Sequence, residues 1–221
     1  MSNKLIVSAA HYAPEYLDAA STTKKVVDAI GIAKKQNSKL VAFPESFLPG
    51  FPIWNAIGKP INNHDFFAKF VENSIRIDGP EIKAISASAK KNSIIVSVGF
   101  SERVSQSVGC LFNSNIIINE NGEIINHHRK IVPTFFEKLT WSNGDSHGLK
   151  VVDTKIGKIG VTVHIPVPVA YHSFGGWKRS LFGDHSMHGP EGVRFYTKLK
   201  TATVTWVEDN AGPEFTIPVL S

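Results

Sequence analysis

Apolar runs and helical segments alternate along most of the chain, over about residues 4–163. Short runs rich in β-branched residues predict strands, at residues 5–7, 40–43 and 94–100. Apolar residues that recur every three or four positions predict helices, at residues 21–36, 64–75 and from Gly79-Pro80 onward. The predicted N-caps of the first helix are Ser21, Thr22 and Thr23. The pattern predicts a layered α/β domain whose first strand is buried.

Two antiparallel hairpins are predicted in the later part of this region. The turn Asn119-Glu120-Asn121-Gly122 separates strand-like runs at residues 112–118 and 124–128. A second turn at Ile156-Gly157 separates residues 149–153 from residues 158–163. The α/β domain is therefore expected to contain antiparallel strand pairs.

The composition of the chain changes near residue 164. The segment His164-Ile165-Pro166-Val167-Pro168-Val169 cannot be an interior strand, because proline lacks the N–H that a strand ladder needs. Residues up to 192 are rich in Gly, His and Pro, and a β-like alternation resumes over residues 193–206. We therefore predict three segments, residues 1–163, residues 164–206 and a frayed tail at residues 207–221.

The overall composition is that of a globular protein. Among 221 residues, 42% are hydrophobic and 19% are charged, which excludes disordered and fibrous classes. The net charge is +5, but no run of Lys or Arg exceeds two residues, so we expect no nucleic-acid partner. No stretch approaches the roughly 20 apolar residues of a membrane helix, and no membrane partner is expected.

Cys110 is the only cysteine in the chain. One thiol excludes an intrachain disulfide and a zinc site built on several thiolates, and we expect no metal and no cofactor. The default compartment is the reducing cytoplasm. Cys110 itself is expected to be a small hydrophobic residue of the core.

Glu45 is the first candidate for chemistry, because it follows directly on the apolar strand at residues 40–43. A carboxylate at the carboxyl end of a buried strand often faces a ligand crevice, where burial suits it to act as a general base. The alternative is that Glu45 caps the next helix or faces solvent.

Lys130 and Glu137 are the other candidates. Lys130 ends a predicted strand, and an ammonium group beside a buried carboxylate can stabilise an oxyanion. Glu137 stands among aromatic residues in a predicted loop, where it could act as a second carboxylate. The alternative interpretation is a solvated strand end for Lys130 and an exposed carboxylate for Glu137.

Three blocks of the sequence resemble the nitrilase branch of the carbon–nitrogen hydrolase superfamily. They are Phe43-Pro44-Glu45-Ser46, His128-Arg129-Lys130-Ile131-Val132-Pro133-Thr134-Phe135-Phe136-Glu137 and Trp141-Ser142-Asn143-Gly144-Asp145. The resemblance covers about residues 4–163. It implies a four-layer αββα sandwich, truncated in its C-terminal part, and hydrolysis of a small-molecule nitrile to a carboxylic acid and ammonia. Glu45 matches the general base of the family, Lys130 the lysine, and Glu137 the additional glutamate that orients the site.

The nucleophile of this family is a cysteine, and the resemblance places it at residue 164, where this chain has His164. The covalent step of the mechanism is attack of a thiolate on the nitrile carbon, which gives a thioimidate. Histidine cannot supply that thiolate. We therefore expect the chain as written to be an inactive hydrolase in which His164 occupies the nucleophile position.

Residues beyond 164 resemble a different family. The segments at residues 165–178 and 189–197 are similar to the C-terminal end of methylmalonate-semialdehyde dehydrogenase, and the likeness runs to about Trp206. That family's cofactor domain and catalytic cysteine have no counterpart here, so no NAD-dependent activity is expected. Two alternatives to a hydrolase are a non-catalytic interaction or oligomerisation module and a chimeric product without a selected function. Whichever of these interpretations holds, we expect the chain to form a homo-oligomer.

Overall fold

Among the residues that the structure describes, five strands form the main sheet, in the order β1-β2-β3-β4-β5. Their bounds are β1 Val7–Ala9, β2 Leu40–Ala42, β3 Ile95–Arg103, β4 Leu111–Ile118 and β5 Ile124–Arg129. Strands β1, β2 and β3 are parallel, whereas β3, β4 and β5 are antiparallel. This computed structural model describes residues 4–160, 189–198 and 200–201. It divides the chain into two compact units, Met1–Val163 and His164–Ser221, which are described separately.

In the described part of the first unit, residues 4–160, four α-helices connect and cover the sheet. They are α1 Ala19–Lys35, α2 Trp54–Ile57, α3 His64–Asn73 and α4 Pro80–Asn92. Helices α1 and α4 share a core cluster with the sheet, because each places an apolar stripe against it. This cluster includes Val26, Ile30, Ile85, Ala89, Val96, Val98, Ile116 and Ile118. The mixed α/β architecture predicted from the alternation of elements is confirmed.

The start of α1 differs from the prediction. The N-cap is Asp18, whose side chain accepts a hydrogen bond from the Ser21 backbone N–H at 2.9 Å. The predicted N-caps at residues 21–23 instead lie within the helix, and Thr22 and Thr23 are buried. An acidic residue one turn earlier is an equally good cap, and it starts the helix sooner.

The first strand is predicted to be buried, but in the structure this segment is largely exposed. Leu5, Ile6 and Val7 are all exposed, and β1 lies at the edge of the sheet. An apolar run predicts a strand but does not distinguish a central position from an edge, because that depends on the strand order. Cys110 is also not a core residue, since it is half-buried and lies outside both hydrophobic clusters.

Both predicted hairpins are present as far as the described residues extend. The β4–β5 pair encloses the predicted turn, where Gly122 adopts a φ of 81°. A separate two-stranded ribbon consists of β6 Val151–Thr154 and β7 Gly157–Gly160. Residues 161–163 of the second predicted hairpin lie outside the described residues.

The second unit contains one described helix, α5 Pro190–Tyr196. The β-like alternation predicted from residue 193 is therefore wrong over residues 193–196. Pro190 at the first helical position and an ion pair of 2.7 Å between Arg194 and Glu191 are local features that favour the helix. In the part of the chain that the structure describes, no helix is long and apolar enough to cross a membrane.

Candidate active site

A tight turn after β2 presents Glu45. The strand ends before Pro44, and Ser46 adopts a positive φ of 49° while its hydroxyl donates to the Gly50 carbonyl at 2.9 Å. The turn lies directly on β3, where it is held beside Gly99. Strain of this kind is common where a structure must direct a functional side chain. The Glu45 side chain remains 52% exposed.

Lys130 continues the line of β5 beyond its last residue, Arg129. Its backbone N–H donates to the Asn113 carbonyl of β4 at 2.7 Å, which extends the pairing of the two strands. Neighbouring side chains alternate between the faces of a strand, so Arg129 and Lys130 point in opposite directions. Behind Lys130, the Gly144 N–H donates to its carbonyl oxygen at 2.9 Å, and an added Cβ on Gly144 would collide with the backbone there.

Glu137 lies in a short 3₁₀ helix, Phe135–Leu139, rather than in a loop, and it is buried. A capping box orients its carboxylate, because Oε2 accepts the Thr134 backbone N–H at 2.8 Å and the Thr134 side chain accepts the Glu137 N–H. The same Oε2 accepts a hydrogen bond from Lys130 Nζ at 2.8 Å.

The structure brings all three residues together around one ammonium group. Lys130 Nζ lies 2.9 Å from Glu45 Oε1 and 2.8 Å from Glu137 Oε2. Burial works against the charged form of Lys130, but hydrogen bonds and charges from Glu137 and Glu45 outweigh it and raise the pKa of the amine above its ordinary value. Lys130 is therefore a cation at neutral pH, suited to stabilise negative charge rather than to act as a base.

Sequence reasoning missed Asn113, which belongs to the same cluster. Its side-chain amide donates to Glu45 Oε1 at 2.7 Å, and the residue is buried. The only available signal was a group of three polar residues, Asn113, Ser114 and Asn115, within the otherwise apolar run at residues 111–118. His164, the remaining predicted site residue, lies outside the described residues.

A second charged cluster, centred on Glu102, was also missed and lies on the opposite face of the same strands. Glu102 is only 1% exposed, and Arg129 donates to both of its oxygens, at 2.9 Å and 2.6 Å. Ser114 and His127 donate to Oε2 at 2.6 Å and 2.8 Å. The cluster ties β3, β4 and β5 together directly behind the strand end that carries Lys130.

Aromatic side chains pack together beside the 3₁₀ helix that carries Glu137. Phe51 packs edge-on against Phe136 and Trp141, with ring centroids 6.1 Å and 5.7 Å apart. Trp141 belongs to a second hydrophobic cluster, and its indole N–H donates to Ser101 Oγ at 3.0 Å. Among the described residues no group of three His, Cys, Asp or Glu side chains is arranged to hold a metal ion.

Comparison with known proteins shows the family to which the chain belongs. Residues 6–164 match the carbon-nitrogen hydrolase family. The chain belongs to this family. It is 34% identical to a nitrilase from Penicillium rubens over 161 residues, which cover 72% of this chain and 48% of that protein. It is 35% identical to an arylacetonitrilase from Aspergillus kawachii over 180 residues, which cover 79% of this chain and 53% of the relative.

A solved structure supports the assignment of this chain to the carbon–nitrogen hydrolase family. Saccharomyces cerevisiae Nit3, a member of branch 10 of the nitrilase superfamily, superposes with a TM-score of 0.52 at 28% identity. The match covers 67% of this chain and 51% of Nit3. The nitrilase-like fold class predicted from the sequence is thereby confirmed, and the chain spans about half the length of the relatives that it matches.

Proposed function

We propose that the Glu45–Lys130–Glu137 cluster is the general-base and charge-stabilising part of a nitrile-hydrolysing site, and that the chain itself does not complete turnover. The observation that carries this proposal is one lysine ammonium held between two carboxylates, 2.9 Å and 2.8 Å away. In this proposal Glu45 accepts a proton from the nucleophile, Lys130 stabilises the negative charge that develops on the substrate, and Glu137 holds Lys130.

Turnover fails in this proposal because residue 164 is histidine. Hydrolysis requires a thiolate that bonds to the nitrile carbon while the nitrile nitrogen takes up a proton. One water then releases ammonia, and a second water releases the carboxylic acid and regenerates the thiol. The family match extends to residue 164, so the expected nucleophile position falls within the matched range. A nitrile would then bind at the cluster without forming the covalent intermediate.

The names of the relatives guide the choice of ligand. One relative is a nitrilase and another an arylacetonitrilase, and in this chain Phe136, the neighbour of Glu137, packs against the aromatic ring of Phe51. An arylacetonitrile such as phenylacetonitrile is therefore the first probe. We also propose that residues 164–206 are a dehydrogenase-like segment without NAD-dependent activity. The whole chain is proposed to form a homo-oligomer.

We expect phenylacetonitrile to bind the unaltered chain without release of ammonia. Ligand-observed NMR measures binding, and a colorimetric ammonia assay measures turnover. Lys130→Met should abolish the binding signal, because it removes the cation between the two carboxylates. The matched control Lys69→Met, on the exposed surface of α3, should leave binding unchanged.

Two outcomes would contradict this proposal. If the unaltered chain does not bind the nitrile at all, the cluster is not a nitrile-binding site. Ammonia release by the unaltered chain that disappears in Glu45→Gln would show that another nucleophile has replaced the thiolate. In His164→Cys we expect only slight turnover, because a nucleophile misplaced by about 1 Å can lose about 100-fold in rate.

A further inference from the structure

Asn113 connects the two functional strand ends of the candidate site. It lies in β4 and is 4% exposed. Its side-chain amide donates to Glu45 Oε1 at 2.7 Å, and its backbone carbonyl accepts the Lys130 N–H at 2.7 Å. One residue therefore contacts the proposed general base through its side chain and fixes the backbone of the lysine.

Both donors to the Glu45 carboxylate use the same oxygen. Asn113 Nδ2 and Lys130 Nζ approach Oε1 at 2.7 Å and 2.9 Å. The amide donor of asparagine is neutral and does not titrate, so it holds this oxygen at any pH at which Glu45 is ionised. Two fixed donors restrict the rotation of a carboxylate that is otherwise half exposed, and they direct its second oxygen away from the lysine.

We propose that Asn113 is a positioning residue that holds Glu45 Oε1 against Lys130, so that Oε2 is the oxygen that accepts the proton. This inference rests on the proposed function in one respect, the assignment of Glu45 as the general base. The contacts themselves stand without that assignment.

Asn115 provides the matched comparison. It lies two residues further along β4 and faces the same side of the sheet, since side chains alternate along a strand. Its side chain accepts a hydrogen bond from Ser97 Oγ at 3.3 Å rather than one from the site. A general effect of removing a polar group from this face would therefore appear at Asn115 as well.

The test measures the reactivity of Lys130 in the full chain. Limiting acetic anhydride acetylates only the neutral amine, and mass spectrometry gives the rate at Lys130 relative to the exposed Lys69 of α3. Glu45→Gln should raise the Lys130 rate, because the carboxylate favours the ammonium form. Asn113→Leu, which removes the donor at similar volume, should raise the rate by about 3-fold or more, because a less firmly held Glu45 favours the ammonium form of Lys130 less strongly. Asn113→Ala should behave likewise, and Asn115→Leu should match the unaltered chain.

The outcomes separate this inference from the proposed function. If Glu45→Gln raises the Lys130 rate but neither Asn113 variant does, the positioning role is wrong and the Glu45–Lys130 pair stands. If Glu45→Gln itself has no effect, the pair does not form in solution, which overturns the proposed site and this inference together. Should Asn113→Ala fail to fold, as judged by circular dichroism, Asn113→Leu decides the result. An equal rise in Asn115→Leu would also overturn the proposal.

Discussion

Replacement of Glu102 by glutamine is expected to lower the free energy of unfolding by about 3 kcal/mol, because it removes a buried carboxylate that accepts hydrogen bonds from Arg129, His127 and Ser114. Arg129 keeps its longer pair with Asp145, at 3.3 Å. Arg129 now donates to both Glu102 oxygens, whereas the NH₂ group of glutamine would face the guanidinium as a second donor. The loss is large beside the roughly 5–15 kcal/mol that stabilise a typical domain. Urea unfolding followed by circular dichroism would measure it.

The control for this substitution is Asp78→Asn. Asp78 also pairs with an arginine, Arg76, at 2.8 Å, but on the exposed surface. Solvent screens exposed pairs, so the urea midpoint of this variant should be unchanged. Equal midpoints for Glu102→Gln and the unaltered chain would refute the idea that the Glu102 cluster holds the three strands together.

The same residue predicts a pH dependence of stability. Burial opposes ionisation of Glu102, but hydrogen bonds from Arg129, His127 and Ser114 outweigh it and lower the pKa from an ordinary 4.5 to about 2. Because the pKa is lower in the folded state, ionised Glu102 contributes about 3 kcal/mol above pH 4.5, and this contribution is lost as the pH falls towards 2. The stability difference between the unaltered chain and Glu102→Gln should shrink over that range. A difference that stays constant would contradict the low pKa.

Gly99→Ala is expected to destabilise the first unit by about 1–3 kcal/mol and to displace Glu45. An added Cβ would lie 2.5 Å from the Pro44 carbonyl oxygen, 2.7 Å from the Ser46 nitrogen and 2.9 Å from the Glu45 Cα. These are backbone atoms, so no side-chain rotation relieves the contact. The urea midpoint measures the loss of stability, and the Lys130 acetylation rate should rise because Glu45 moves away from the ammonium.

Gly31→Ala is the matched control, and it should change stability in the opposite direction. Gly31 lies inside α1, and nothing is within 4 Å of the Cβ that alanine would add. Alanine in a helix interior is favoured over glycine by about 0.5–1 kcal/mol, so the urea midpoint should rise slightly. If Gly99→Ala were as stable as Gly31→Ala, the close approach of the Glu45 turn to β3 would not exist in solution.

The sequence alone determined the type and order of most elements. Pro44 ends β2, Gly79-Pro80 begins α4, and the Asn119–Gly122 turn separates β4 from β5, because each signal acts on the backbone within a few residues. The family resemblance also identified Glu45, Lys130 and Glu137, which the structure brings around one ammonium group, although their catalytic roles stay predictions. The predictions were wrong where two local signals competed. At the start of α1, Asp18 is the N-cap in place of residues 21–23, and residues 193–196 form a helix in place of a strand.

Only the tertiary structure decided which residues surround and support that cluster. Asn113 reaches Glu45, and Glu102 reaches Arg129, because β3, β4 and β5 pair in one particular register. A shift of a single residue would turn each of these side chains to the opposite face of the sheet, and no pattern within one strand reports that register. The edge position of β1 and the need for glycine at residue 99 have the same origin, since both depend on which segments lie side by side in space.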